Sequence, residues 1–304
     1  MSSRATRVAA PGICRAAMRC ASWLLQMLLL TAGSAAVADV IKMVDDRGRE
    51  LLLGSAPRRI VSLAPHATEL LFAAGLGPRV VAIDLHSDQP DQARHLPRLN
   101  ALSGPDPERL MALDPDLVVI WGAAADRDRV QRLERLGLRV FISEPRTLEA
   151  VATTLERFAA LSPTPQAGRA GAARVRASVM AVRQKFASRK PVPVFVQAWS
   201  RPLTSLSDRD IVGDALRACG GRNLFGDAAI AAPQVGVEAV LAARPHLILT
   251  FGPDADRQPW DALGVLAPRG PIQFAVLGQA LLRPSQRLPE ELPALCEAIQ
   301  AARR

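Results

Sequence analysis

The chain of 304 residues is 49% apolar and only 4% aromatic, has no tyrosine, and carries a formal net charge of +9. That length and apolar content suffice for two lobes of ordinary size, each with a core of its own. The basic residues are scattered and not interleaved with aromatics, which argues against a nucleic-acid partner, and so few rings exclude a carbohydrate-stacking face.

The first segment reads as a leader rather than as part of the fold. Arg4, Arg7, Arg15 and Arg19 precede an apolar run over 23–30, and Ala36-Val37-Ala38 follows it. A charged start, a short apolar stretch and a small-residue site are the marks of a secretory signal, expected over residues 1–38 with cleavage after Ala38 and export to the periplasm. The run is too short to span a bilayer. Without the leader, 34 basic residues stand against 29 acidic ones. Cys14 and Cys20 leave with it, and Cys219 and Cys296 remain. An exported chain with two cysteines is a candidate for one disulfide, and no Cys-x-x-Cys supports a zinc ribbon or a thioredoxin site.

Residues 40–53 alternate on either side of Asp46-Arg47-Gly48-Arg49, a hairpin signal. A strand is expected over 59–64, a helix from Pro65 to Gly75, and a strand over 80–84. A long loop over 85–105 follows.

Residues 107–122 (PERLMALDPDLVVIWG) then find a counterpart at 237–252 (VEAVLAARPHLILTFG). Each copy has a glutamate second, Glu108 or Glu238, and a short helix-like stretch. A proline, Pro115 or Pro245, stops the helix, and a branched apolar run reads as a buried strand. Strands alternating with helices predict an α/β chain with parallel sheets.

Between the copies, 147–161 is helical, and 166–189 runs without proline. Val175, Val179, Val182 and Phe186 fall at three- and four-residue steps. One long amphipathic helix is expected there as a stiff connection. The expected organisation is a leader over 1–38, an N-terminal αβ lobe over 39–161, a connecting helix within 162–190 and a C-terminal αβ lobe over 191–304. The second lobe opens with a strand at 194–199. Asp208 or Asp210 caps its first helix, and a helix over 290–304 closes the chain.

Arg58-Arg59-Ile60-Val61-Ser62-Leu63-Ala64-Pro65, Thr68-Glu69-Leu70 and Ala73-Ala74-Gly75 form one group of motifs. Ser87-Asp88 with Pro90, the Pro115–Val119 run and Leu136-Gly137 form a second. Cys219-Gly220-Gly221 with Asn223 and Phe225, and Pro233-Gln234-Val235, complete the series. Their order and spacing resemble the periplasmic substrate-binding proteins of cobalamin and ferric-siderophore ABC importers, above all the cobalamin-binding members. The resemblance implies two parallel-sheet αβ lobes joined by a single long rigid helix, with a ligand cleft between them. It implies that Glu108 and Glu238 dock on arginines of the membrane permease subunits. It also implies that Cys219 and Cys296 pair, and that Trp121 lines the cleft.

At three positions where cleft aromatics stand in the family, this chain has His86, Leu102 and Ala232. Trp199 is the aromatic expected to compensate from the second lobe, and a ligand cage must draw on Trp121, Trp199, Trp260 and aliphatic side chains. His66 and His86 follow strands of the first lobe and are expected at the cleft, where an imidazole can ligate cobalt or haem iron. No GxSxG, HExxH, Walker or GxGxxG pattern is present, so no enzyme is expected. Asp254 and Asp256 read as a solvated turn. The expected molecule is a monomeric binding protein without a resident cofactor. Its ligand is cobalamin or another macrocyclic metal chelate. A haem or ferric-siderophore receptor, and an exported αβ enzyme of undetected type, are the alternatives.

Overall fold

Asp45 organises the first turn of the chain: its Oδ1 accepts the backbone N–H of Arg47 (3.0 Å) and of Arg49 (2.9 Å). Gly48, at φ +79°, supplies the left-handed step that reverses the hairpin of β1 (Ile41–Val44) and β2 (Glu50–Leu53). The computed structural model describes residues 40–303 except Leu102, Ser103, Asp254 and Arg269. The expected leader, Leu102 and Asp254 therefore lie outside the described residues. No helix among the described residues is long and apolar enough to cross a membrane.

The first sheet comprises β3 (Ile60–Leu63), β4 (Val80–Asp84), β5 (Arg98–Leu99), β6 (Leu117–Trp121) and β7 (Val140–Ser143). Its order is β5-β4-β3-β6-β7, and every pair is parallel. Helices α1 (Pro65–Ala73), α2 (Pro107–Ala112), α3 (Arg127–Arg135) and α4 (Leu148–Ala159) cover it. The uninterrupted apolar run of β6 has a direct cause. Leu117 and Val119 enter the core shared with α1 and α4, while Val118 and Ile120 enter the one shared with α2 and α3. A strand buried on both faces cannot alternate with polar residues.

Helix α5 (Pro165–Phe186) has 22 residues, about 33 Å at the usual rise. Gly168 lets it press onto α4 and α1: a β-carbon there would lie 2.6 Å from Ala159 Cβ and 3.0 Å from Ala74 Cα. The helix ends at Phe186, three residues before the expected Arg189. Phe186 is buried, Arg189 N–H closes a turn on its carbonyl (3.0 Å), and Lys190, which precedes Pro191, is kept out of helical geometry.

The second sheet comprises β8 (Val192–Gln197), β11 (Gly221–Asn223), β12 (Leu247–Phe251) and β13 (Gln273–Leu277), in the order β11-β8-β12-β13 and all parallel. A two-stranded ribbon, β9 (Trp199–Ser200) with β10 (Leu203–Thr204), follows β8. Helices α6 (Ile211–Ala218), α7 (Val237–Ala242), α8 (Gln258–Ala262) and α9 (Leu288–Ala301) complete the lobe. Sequence periodicity missed the ribbon, α8 and β13, all of them short. Asp210 is the cap of α6, accepting Val212 N–H at 3.0 Å. Asp208 instead takes Arg217 and Asn223.

The internal repeat is structural. Both copies fold as a six-residue helix and a five-residue strand, α2–β6 and α7–β12. The residues before the two prolines, Asp114 and Arg244, share left-handed backbone, φ 44° and 52°. A residue before proline is barred from continuing the helix, and the reversal into the strand takes the remaining compact conformation.

One apolar core runs through both halves of the molecule. It contains Leu70 and Phe141 of the first lobe, Val175 and Phe186 of α5, and Val194 and Leu249 of the second. Cys219 and Cys296 are disulfide-bonded, with Cα atoms 4.7 Å apart, tying the end of α6 to α9.

Candidate ligand cleft

In parallel sheets the loops at the carboxyl ends of the strands are where ligands bind. Here those ends bear His66 after β3, His86 after β4, Trp121 on β6 and Trp199 after β8. Trp121 is 41% exposed, and His66 stands edge-on to it, ring centroids 6.5 Å apart at 72°. His66 itself is buried. As the second residue of α1 it turns into the lobe, with Nε2 3.0 Å from Ser143 Oγ. Burial pulls its pKa down to about 4, against the partial support of Ser143 and Glu144, so the imidazole is neutral. The expectation of an open loop histidine is thus corrected for His66: it is a prop beneath Trp121, and Ser143 occupies its Nε2.

The turn after Trp121 is held from the N-terminal hairpin. Arg47 donates to the carbonyls of Gly122 (2.7 Å) and Ala125 (2.8 Å) and to Glu144 Oε2 (3.0 Å). Glu144 also receives Arg146 at 2.8 Å. Burial pushes the Glu144 carboxyl up, but these two guanidinium groups outweigh it and hold the group below its ordinary range. Nothing in the sequence pointed to Arg47 beyond its place in the hairpin turn.

His86 is exposed on the rim two residues beyond Asp84, whose Oδ1 lies 3.3 Å from His86 Nδ1. The loop is pinned to α1 through hydroxyls: Thr68 Oγ1 lies 2.9 Å from Ser62 Oγ and 3.0 Å from Ser87 Oγ. Strands β4 and β6 flank β3, so His86 and Trp121 rise from strands about 10 Å apart, two inter-strand spacings.

On the second lobe a cavity of about 530 Å³ is lined by Trp199, Arg201, Thr250, Phe251, Asp256 and Gln279, among others. Trp199 is 59% exposed. Arg201 pairs with Asp256 at 3.2 Å, and Asp256 also caps Gln258 N–H. Asp256 is therefore engaged at the cavity and is not the free solvated turn expected. Trp260 is corrected as well. It is fully buried against Phe195, with Nε1 donating to Gln197 Oε1 at 2.6 Å, and cannot join a cage. Ala232 sits half-buried against the core. A larger cavity of about 630 Å³, along the flank of α1 beside Phe72, Pro90 and Leu96, contains none of the predicted ligand residues.

Loops that follow strands of the two sheets touch: Asp88, in the His86 loop, accepts Arg283, which follows β13. Burial raises the Asp88 carboxyl and Arg283 lowers it, with the net result below the ordinary range. Arg287 reaches Glu69 of α1 from the same direction. On the connecting-helix side, buried Asp214 of α6 accepts Leu148 N–H at 2.9 Å and Arg183 of α5 at 3.0 Å. Sequence reading missed these bridges, because each joins residues that are adjacent only after the lobes pack.

Glu108 and Glu238 occupy matching places in the first turns of α2 and α7, and both are exposed. Asp106 caps the first helix through Glu108 N–H (2.9 Å), and no side chain caps the second.

A family model of periplasmic binding proteins matches residues 60–261. The vitamin B12-binding protein of Photorhabdus laumondii subsp. laumondii is 36% identical over 200 residues, covering 66% of this chain and 73% of that one. That of Vibrio campbellii is 34% identical over 191 residues, with coverages of 63% and 70%. Among solved structures, the periplasmic vitamin B12-binding protein of Vibrio cholerae superposes with a TM-score of 0.74 at 30% identity, covering 81% of this chain and 98% of that one. The apo periplasmic heme-binding protein from Roseiflexus sp. RS-1 gives 0.65 at 25% identity, with the same coverages.

Proposed function

This chain belongs to the periplasmic binding protein family, and we propose that it captures cobalamin or a related corrinoid in the cleft and delivers it to an ABC importer. The observation that carries this reading is the pairing of two strand-end walls, Trp121 with His86 on one and Trp199 above its cavity on the other. A corrinoid is a broad, largely apolar ring with amide edges. Exposed indoles offer it apolar area, and Arg201, Thr250 and Gln279 offer polar anchors. The relatives named as vitamin B12-binding support the same ligand.

Delivery is assigned to Glu108 and Glu238. One exposed acid on each half of an internal repeat suits a permease with two equivalent basic sites. The protein works as a monomer in the periplasm, released from its leader after Ala38. It carries its ligand without transforming it.

A thermal-shift and calorimetric panel tests the ligand. Cyanocobalamin is expected to bind one-to-one and raise the apparent stability, because a ligand that binds only the folded state stabilises it by mass action. A rise with ferric haem or a ferric siderophore but not with cyanocobalamin would assign the cleft to the other chelate. Turnover of any bound ligand would favour the enzyme alternative.

A further inference from the structure

The two histidines at the cleft are prepared for opposite tasks. His66 is sealed beneath Trp121, with Nε2 given to Ser143. His86 is held outward, its side chain 59% exposed, with Nδ1 against Asp84. Asp84 is itself immobilised. Its Oδ1 also accepts the backbone N–H of His86 (2.9 Å), its Oδ2 accepts that of Ala101 (3.2 Å), and the residue is buried at the end of β4.

A neutral imidazole beside a carboxylate places its proton on the nearer nitrogen. With the proton so placed, Nδ1–H donates to Asp84 and Nε2, across the ring, carries the lone pair. This carboxylate–imidazole arrangement orients a histidine and raises its basicity when it binds a metal. Yet no group of three or more His, Cys, Asp or Glu able to hold a bare ion occurs among the described residues. A single oriented imidazole is sufficient only when the metal arrives already held in an equatorial ring and offers one exchangeable axial position.

We propose that His86 Nε2 coordinates the metal of the bound macrocycle, and that the cleft thereby selects chelates whose axial ligand can be displaced. This inference rests on the corrinoid reading above. With aquocobalamin the cobalt–oxygen bond to the axial water breaks as the Nε2 lone pair forms a cobalt–nitrogen bond. The water leaves with both protons, Nδ1–H stays on Asp84, and the oxidation state of cobalt is unchanged. Cyanocobalamin carries the same ring with a tightly held cyanide and gains no metal bond from His86.

The test uses the mature protein and His86→Ala, titrated with aquocobalamin, cyanocobalamin and ferric haem and followed by visible absorption. The spectrum of aquocobalamin mixed with free imidazole serves as reference. Bound aquocobalamin is expected to adopt the imidazole-adduct spectrum and to bind more tightly than cyanocobalamin, by roughly 10-fold or more. In His86→Ala the adduct spectrum and the preference are lost, aquocobalamin affinity falls further than cyanocobalamin affinity, and added free imidazole restores the spectrum. Retention of the aquo spectrum by the wild type, or an identical shift in His86→Ala, overturns the ligation while leaving the corrinoid reading intact. If neither cobalamin binds but ferric haem shows a His86-dependent spectral change, the corrinoid reading fails and the ligation stands. If no chelate shows such a change, the ligation fails.

Discussion

Arg287 grips Glu69 with two hydrogen bonds, Nε to Oε2 at 2.8 Å and Nη2 to Oε1 at 3.0 Å, and the pair joins α9 of the second lobe to α1 of the first. Glu69 is almost wholly buried, and Arg283 adds a second cation at 3.5 Å from its Oε1. A buried carboxylate is tolerated when its charge and lone pairs are answered, and removing one partner leaves the other stranded. Arg287→Met is expected to lower unfolding free energy in urea by about 3 kcal/mol, with Arg283 softening the loss. The double change Glu69→Leu with Arg287→Met should recover most of it. An unchanged midpoint for Arg287→Met would show that the bridge adds nothing to stability.

His66 makes stability depend on pH. Its pKa is about 4 in the folded chain against 6.5 for the free group. Between those values the unfolded chain binds a proton that the folded chain does not, so stability falls as pH drops from about 6.5 towards 4. The full displacement corresponds to about 3 kcal/mol. His66→Gln keeps a donor for Ser143 but does not titrate. Urea unfolding at pH 7.5 and 4.5 is expected to show a shallower decline for it than for the wild type. Parallel declines would remove His66 as the cause.

Trp121 is exposed and braced on two sides, by His66 and by the Arg47-held turn. Trp121→Ala is expected to weaken corrinoid binding by about 1–3 kcal/mol while the protein stays folded. Ligand saturation should change tryptophan fluorescence, and the buried Trp260 should contribute little to that change. Loss of the fold with unaltered affinity per folded molecule would mean that the ring serves packing instead.

The Cys219–Cys296 bond closes a separation of 77 residues, worth about 4 kcal/mol on the chain-entropy model. Intact mass measurement without reductant should find no alkylatable thiol in the mature protein. Cys219→Ala with Cys296→Ala should unfold at lower urea by a corresponding margin while retaining ligand specificity. Two freely modified thiols would falsify the pairing.

Glu108→Lys with Glu238→Lys should leave ligand affinity and melting temperature near wild type, since both acids stand on exposed first turns. Delivery in a reconstituted importer should be abolished, with each single change intermediate, because reversal replaces attraction with repulsion at a basic site. Normal uptake by the double variant would return both acids to helix-dipole partners.

Much of the architecture was legible in the chain itself. The paired helix-Pro-strand blocks announced two parallel αβ units, because proline position and hydrophobic period are local properties that survive into the fold. The proline-free stretch before Pro191 announced the long helix α5, and the motif series pointed to the cysteine pair. Burial was not legible, because it depends on what arrives from elsewhere in the chain. Trp121 and Trp260 are equivalent as letters, yet packing left the first exposed at a strand end and closed Phe195 and Gln197 over the second. His66 and His86 each follow a strand of one sheet. A helix start turned one inward onto Ser143, and a loop anchored by Asp84 turned the other out. The bridge from Glu69 to Arg287 spans 218 residues. Only the tertiary structure could bring its two charges together, because the attraction between them becomes strong only where the packed lobes have excluded water.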